Sequence, residues 1–274
     1  MSRTFRITVA YDGTEFAGWQ VQPNQRTIQD CLEKATESIT GERPRIIGSG
    51  RTDAGVHALA QVASCRLQTW KAPADALGRA LNTQLPSSIV VHRCEDADDD
   101  FHAIASATSK RYRYQIQIGG NRDPHLCRTW WRVQHDLDIN AMTEAANRIV
   151  GEKDFASFQA SGAVVSSTIR NVTGCDLIEL SSPVNCDTNP CHLVAIEVEA
   201  NGFLYNMVRN IVGTLVEVGR GKHAPTWIDQ VIAAKNRDAA GPTSPANGLF
   251  LKWVAYSNWR SDGNQPHQST QGAN

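Results

Sequence analysis

The chain has 274 residues, 41% of them hydrophobic and 20% charged, ordinary values for a globular protein with one large domain or two small ones. No stretch approaches membrane-span length and MSRTFRITVAYDG has no apolar leader core, so a cytoplasmic protein is expected and a membrane protein is not. A net charge of −1 argues against a strongly basic nucleic-acid binder, and seven scattered cysteines without a C-x-x-C fit a reduced compartment.

Residues 4–11 alternate as a strand and end at the Asp12-Gly13 turn. A loop follows with Phe16 and Trp19, aromatics that suit core packing better than base stacking. Thr27-Ile28-Gln29-Asp30 opens a helix whose Ile28, Cys31, Leu32, Ala35 and Ile39 recur at helical spacing until Gly41. Strands at 45–49 and 61–67, a helix over 73–85 and a strand at 88–94 complete a β-α-β-β-α-β unit of the split ferredoxin-like kind.

The pattern then recurs. Strand 107–118, helix 140–150, strands 167–180 and 192–200, helices 203–218 and 225–236 and strand 248–256 follow in turn. The expected fold is α+β: two ferredoxin-like halves, 1–105 and 106–260, forming an extended mixed antiparallel sheet with flanking helices and a central cleft. Residues 261–274 are polar, lack an apolar pattern and are expected to be a disordered tail.

Charge is unevenly placed. Lys110, Arg111, Arg113, Arg122, Arg128 and Arg132 are opposed only by Asp123, while residues 95–100 are an acidic run that reads as a solvated loop. Cys186, Cys191 and His192 lie close in sequence. Metal binding there would need partners from elsewhere, so ordinary thiols in a polar loop are expected, with no metal and no cofactor.

Three stretches carry chemistry. The first is GSGRTDAGVHA at 48–58, where glycines surround Asp53 and Arg51 lies two positions before it. Taken alone, it fits either a held reactive carboxylate or a turn in which Asp53 caps its own backbone. A phosphate loop fits poorly, because Asp53 stands where the dinucleotide fingerprint wants glycine. The second is KRYRY at 110–114, whose alternation puts Lys110, Tyr112 and Tyr114 on one face and Arg111 and Arg113 on the other. The third is the helix with apolar residues at 203, 204, 207, 208, 211, 212 and 215. Arg209 falls off the centre of that stripe, in line with Tyr205 and Gly213; by spacing alone it is a solvated arginine.

The segment GSGRTDAGVHA is very similar to the catalytic segment of the tRNA pseudouridine synthase A family. YDGTEFAGWQ at 11–20, FHAIASATSKRYRY at 101–114, NGFLYNMVRNIVGTLVEVG at 201–219 and SPANGLFL at 244–251 match in the same order. The resemblance implies an isomerase that turns uridine into pseudouridine at positions 38–40 of the tRNA anticodon arm, without metal or cofactor. It also implies an RNA-binding cleft and a homodimer, each tRNA contacting both subunits.

By the same resemblance Asp53 is the catalytic carboxylate, Arg209 its paired cation, and Tyr112 the residue stacked on the target base. Arg51 would fill the gap left by the flipped nucleotide, and Lys110 and Arg111 are counted as substrate-binding. His57 reads as structural support. Two positions depart from the family's pattern, Ile104 for an arginine and Asn247 for a histidine. The alternatives are the same chemistry on another RNA, a non-catalytic RNA-binding protein, and a small-molecule enzyme using Asp53.

Overall fold

The computed structural model describes residues 2–162, 165–181 and 190–264. The architecture is α+β, with eleven strands of a mixed sheet and five α-helices among the described residues. Two compact units divide the chain. The first holds Met1–Asp53, Ala58–Lys110 and Leu251 onward; the second holds Ala54–His57 and Arg111–Phe250. The grouping thus places the last long strand with the N-terminal residues, unlike a simple division near residue 105.

In the first unit β1 (Arg3–Tyr11) lies antiparallel between β3 (His57–Leu67) and β4 (Ile89–Ala97), and β10 (Leu249–Tyr256) extends the order to β4-β1-β3-β10. Phe5, Ile7 and Val9 of β1 are fully buried, the outcome of its apolar alternation. Helix α1 (Ile28–Thr40) starts where Thr27 Oγ1 accepts from Asp30 N and ends at Gly41 in the left-handed region, φ 73°. Helix α2 (Ala74–Gln84) stops at an extended Leu85, because Pro86 disfavours helical geometry in the residue before it.

The acidic run is not wholly a loop. Glu95 and Asp96 belong to β4, where Arg6 and Arg3 pair with them at 3.2 and 2.7 Å. β4 ends the strand order, and charge on such a strand discourages further pairing. The short strand β11 (Trp259–Arg260) pairs with β10. Ser261 beyond it is buried; its Oγ donates to Ala60 O at 2.8 Å and accepts from Val254 N at 2.9 Å. Residues 261–264 are therefore placed by the fold, and 265–274 lie outside the described residues.

In the second unit the order is β5 (Ser109–Ile118), β9 (His192–Ala200), β8 (Ile169–Leu180), β7 (Gly151–Asp154). A three-residue β6 (Trp131–Val133) runs parallel to β5. β6 and β7 escape sequence reading because three and four residues are too few to show alternation. Helices α3 (Ile139–Asn147), α4 (Met207–Gly219) and α5 (Trp227–Ala234) complete it. Helix α4 begins at Met207 rather than at 203, since Asn206 takes a left-handed φ of 59° that a continuing helix cannot contain.

No helix among the described residues is long and apolar enough to cross a membrane. Cys186 lies outside the described residues, and Cys191 packs against an apolar cluster of Leu126, Trp130 and Leu193. Among the described residues no group of three His, Cys, Asp or Glu side chains gathers as a metal site would need.

Candidate active site

Asp53 ends a loop held from several sides within the first unit. β2 (Ile47–Gly48) pairs with Ala63 and Ser64 of β3, and a Cβ at Gly48 would lie 2.4 Å from Trp19 Cε2. Only glycine lets the indole lie against the backbone there. Trp19 and Phe16 are buried, so they are core residues. Trp19 N donates to Thr52 O at 2.9 Å, and Thr52 Oγ1 shares a 2.8 Å hydrogen bond with Tyr11 Oη. Burial pushes the Tyr11 phenol up to about 12, against hydrogen bonds from Thr52 and Gln61 that lower it.

Gln61, fully buried on β3, holds two further points. Its Oε1 accepts from Ser49 Oγ at 2.6 Å and its Nε2 donates to Gly50 O at 2.8 Å. Lys110 Nζ donates to Ser49 O. The loop carbonyls of Ser49, Gly50 and Thr52 are thus each taken, while the Arg51 side chain is exposed and Asp53 is half-buried. Burial lowers the Lys110 ammonium to about 8.

The residues after Asp53 belong to the second unit. His57 is fully buried, its ring stacked on Phe250 at 4.6 Å. Its Nε2 lies 3.2 Å from both Asn247 O and Arg128 O. Two carbonyl neighbours require a donor, so Nε2 carries the proton and His57 acts as a strut. Asn247 Nδ2 donates to Cys127 O and Trp130 O at 3.0 Å, and Gln115 Nε2 donates to Thr129 O at 2.9 Å. Four consecutive carbonyls, 127 to 130, are therefore taken by His57, Gln115 and Asn247. Asn247, one departure from the family's pattern, has a structural task. Ile104, the other, is 53% exposed on a turn whose N–H groups donate to His102 Nδ1.

Arg209 lies on α4. Its Nε donates to Ser244 O at 2.8 Å and its Nη1 to Asn206 Oδ1 at 3.0 Å. Asn206, left-handed before the helix, makes no capping bond and serves the guanidinium instead. One turn further on, a Cβ at Gly213 would lie 1.7 Å from Pro242 O, so segment 241–244 rests on bare helix backbone. Fully buried Asn210 ties that segment down: its Oδ1 accepts from Thr243 Oγ1 at 2.6 Å and Arg237 Nη2 at 3.1 Å, and its Nδ2 donates to Phe158 O at 2.8 Å.

Tyr112 is 7% exposed and meets Phe203 edge to face, ring centres 5.0 Å apart. Tyr114 donates to Pro245 O at 2.7 Å, and burial raises its phenol pKa. Arg111 is drawn into carboxylates: Nε reaches Glu197 at 2.7 Å, Nη1 reaches Glu199 at 3.1 Å, and Nη2 pairs with Asp176. Burial opposes its charge, but Glu197 and Asp176 outweigh that and hold the guanidinium above its usual range. Arg113 shares Glu197 at 2.6 Å. Two arginines of the basic run are thus matched to acids of β8 and β9.

Arg51, Asp53 and Lys110 belong to the first unit, and Arg111, Tyr112 and Arg209 to the second. Sequence reading gives Gln61, Asn206, Asn210 and Gln115 no role and marks Asn247 only as a departure from the family's pattern. A buried amide on a strand or helix looks the same in sequence as an exposed one, and only the groups it meets distinguish them.

A family model described as tRNA pseudouridine synthase matches residues 7–104 and 145–257. The chain is 44% identical over 254 residues to a tRNA pseudouridine synthase A of Thermoanaerobacter sp. (strain X514), covering 93% of this chain and 100% of the relative. It is 41% identical to the protein of that name from Acetivibrio thermocellus and 41% to that from Geobacter sulfurreducens, each again over 93% of this chain and 100% of the relative. On this similarity, spread over nearly its whole length, the chain belongs to the tRNA pseudouridine synthase family, isomerases that act on tRNA.

Proposed function

We propose that this chain converts uridine to pseudouridine at positions 38–40 of the tRNA anticodon arm, with Asp53 as the reacting carboxylate. The carrying observation is the complete GSGRTDAGVHA segment inside the matched region, on a loop with three carbonyls held by hydrogen bonds. Such fixing of a short loop is what a reactive group needs to meet one atom of a substrate.

In the reaction the C1′–N1 bond breaks, the uracil turns, and a C1′–C5 bond forms. The C5 proton leaves to solvent and N1 takes one up, so atoms and charge balance. Asp53 acts at the ribose, as nucleophile or base, and must be ionised to do either. Arg209 is assigned to keep it so, because a guanidinium beside a carboxylate favours the charged form. Asn206 and Ser244 support that role by fixing the plane of the guanidinium.

Tyr112 is assigned to the flipped uracil by stacking, supported by the ring of Phe203 set across it. Exposed Arg51 is assigned to the space the base vacates, where a planar cation can stack and meet phosphate. A homodimer in the cytoplasm completes the reading; two copies would double the basic surface offered to one tRNA.

The test is tritium release from C5-labelled uridine in an unmodified tRNA with U39, comparing wild type with Asp53→Asn. Release by wild type and a loss of at least about a thousandfold in the variant are expected. Equal release by both would remove Asp53 from the chemistry. Mapping pseudouridine in the product tests positions 38–40, and sedimentation equilibrium tests the dimer.

A further inference from the structure

Lys110 departs from its neighbours in the basic run. Arg111 and Arg113 meet carboxylates, whereas the Lys110 ammonium turns to a neutral group, the carbonyl of Ser49. A lysine that serves phosphates keeps its ammonium in water, where a hydrated point charge attracts them. Lys110 is half-buried and its ammonium loses solvent enough to lower its pKa to about 8. That burial disfavours the charge, so the contact at Ser49 must offset part of the cost.

Ser49 is where such a contact has most effect. Its N–H donates to Val62 O at 2.7 Å and its hydroxyl to Gln61 at 2.6 Å, so both groups facing β3 are engaged. Its carbonyl faces Lys110. The orientation of that peptide sets the path of Gly50 and Arg51 toward Asp53, four residues along. Among the three carbonyl contacts of the loop, Lys110 supplies the charged donor, and charge-assisted hydrogen bonds are the stronger kind.

We propose that Lys110 is a positioning residue for the Asp53 loop: by holding the Ser49 carbonyl it sets the angle at which Asp53 is presented, and it adds nothing to the affinity for RNA phosphates. The proposal rests on Asp53 as the reacting carboxylate.

The experiment measures two quantities for wild type, Lys110→Met, Lys110→Gln and Asp53→Asn: the single-turnover rate on an unmodified tRNA carrying U39, and the Kd for the same tRNA at several salt concentrations. Lys110→Met is expected to slow the chemical step about 10- to 100-fold, the usual penalty for a small misplacement. Its Kd should stay within about twofold, with the salt slope unchanged. Lys110→Gln, which keeps a neutral donor, should recover part of the rate.

A weakened Kd with a slope shallower by about one phosphate and an unchanged rate would overturn the proposal, making Lys110 an RNA contact. So would an unchanged rate and Kd in both lysine variants while Asp53→Asn is inactive. If Asp53→Asn keeps the wild-type rate, the reading of Asp53 fails and the proposal goes with it. Should Lys110→Met not fold, Lys110→Gln alone decides by the same split between rate and Kd.

Discussion

The Asp53 loop and the Arg209 helix hold their charged residues by opposite means. Around the loop, side chains and one neighbouring N–H reach in to capture carbonyls: Gln61, Lys110 and the Trp19 backbone. Around Arg209, backbone lies directly on backbone, with segment 241–244 resting on α4 where Gly213 has no side chain. The first arrangement is a set of separable hydrogen bonds, each worth about 1 kcal/mol net. The second is close packing, which tolerates no added atom. Damage to the loop should therefore appear first as lost rate, and damage at the helix as lost stability.

Three substitutions or conditions break or sharpen this contrast. The largest effect is expected from Gly213→Ala, whose new Cβ would lie 1.7 Å from Pro242 O. A displaced α4 or segment 241–244 should cost about 3 kcal/mol or more, read as a lower urea midpoint. Stability within about 1 kcal/mol of wild type would show that this packing yields.

Gln61→Met comes next. It leaves Ser49 Oγ and Gly50 O without their buried partner, at a cost of about 2 kcal/mol. The turnover rate should fall further than that stability loss implies, because the loop can loosen without unfolding the sheet. A stability loss with an unaltered rate would mean that Gln61 supports β3 and not the loop.

The smallest effect concerns pH. Burial holds Lys110 at about 8, below the ordinary lysine value of about 10.4. Between those values the unfolded chain binds more protons at this position than the folded one, so its contribution to stability rises with pH. Wild type should thus gain on Lys110→Met between about pH 8 and 10 in paired denaturation curves. A difference that stays flat or shrinks across that window would contradict a depressed lysine at this half-buried position.

Much of this site was legible in the sequence where local rules suffice. Thr27 and Gly41 mark the ends of α1, and glycines around Asp53 mark a held loop. Legibility fails where one chain position is satisfied by a distant one. Gln61 and Asn210 carry no signal in the sequence and Asn247 shows only as a departure from the family's pattern, yet each joins backbone groups elsewhere in the chain. Phe203 and Leu204 continue the apolar stripe of α4, but left-handed Asn206 separates them from it, and Phe203 instead faces Tyr112. Glu197 shows no distinction in sequence from its neighbour Glu199, although it alone of the two is 1% exposed and shared by two arginines.

The return of β10 to the first unit has a consequence for how the protein is made. Once residues 1–110 are made, the segments of β1, β3 and β4 all exist while that of β10 is still unsynthesised. At ordinary elongation rates the intervening residues 111–250 take roughly 7 to 30 seconds. Throughout that interval part of β3, a long and largely buried strand in the finished molecule, has no β10 beside it. A nascent chain thus has a pairing-competent strand edge until residues 249–256 are made, and unpaired edges of this kind are prone to aggregation.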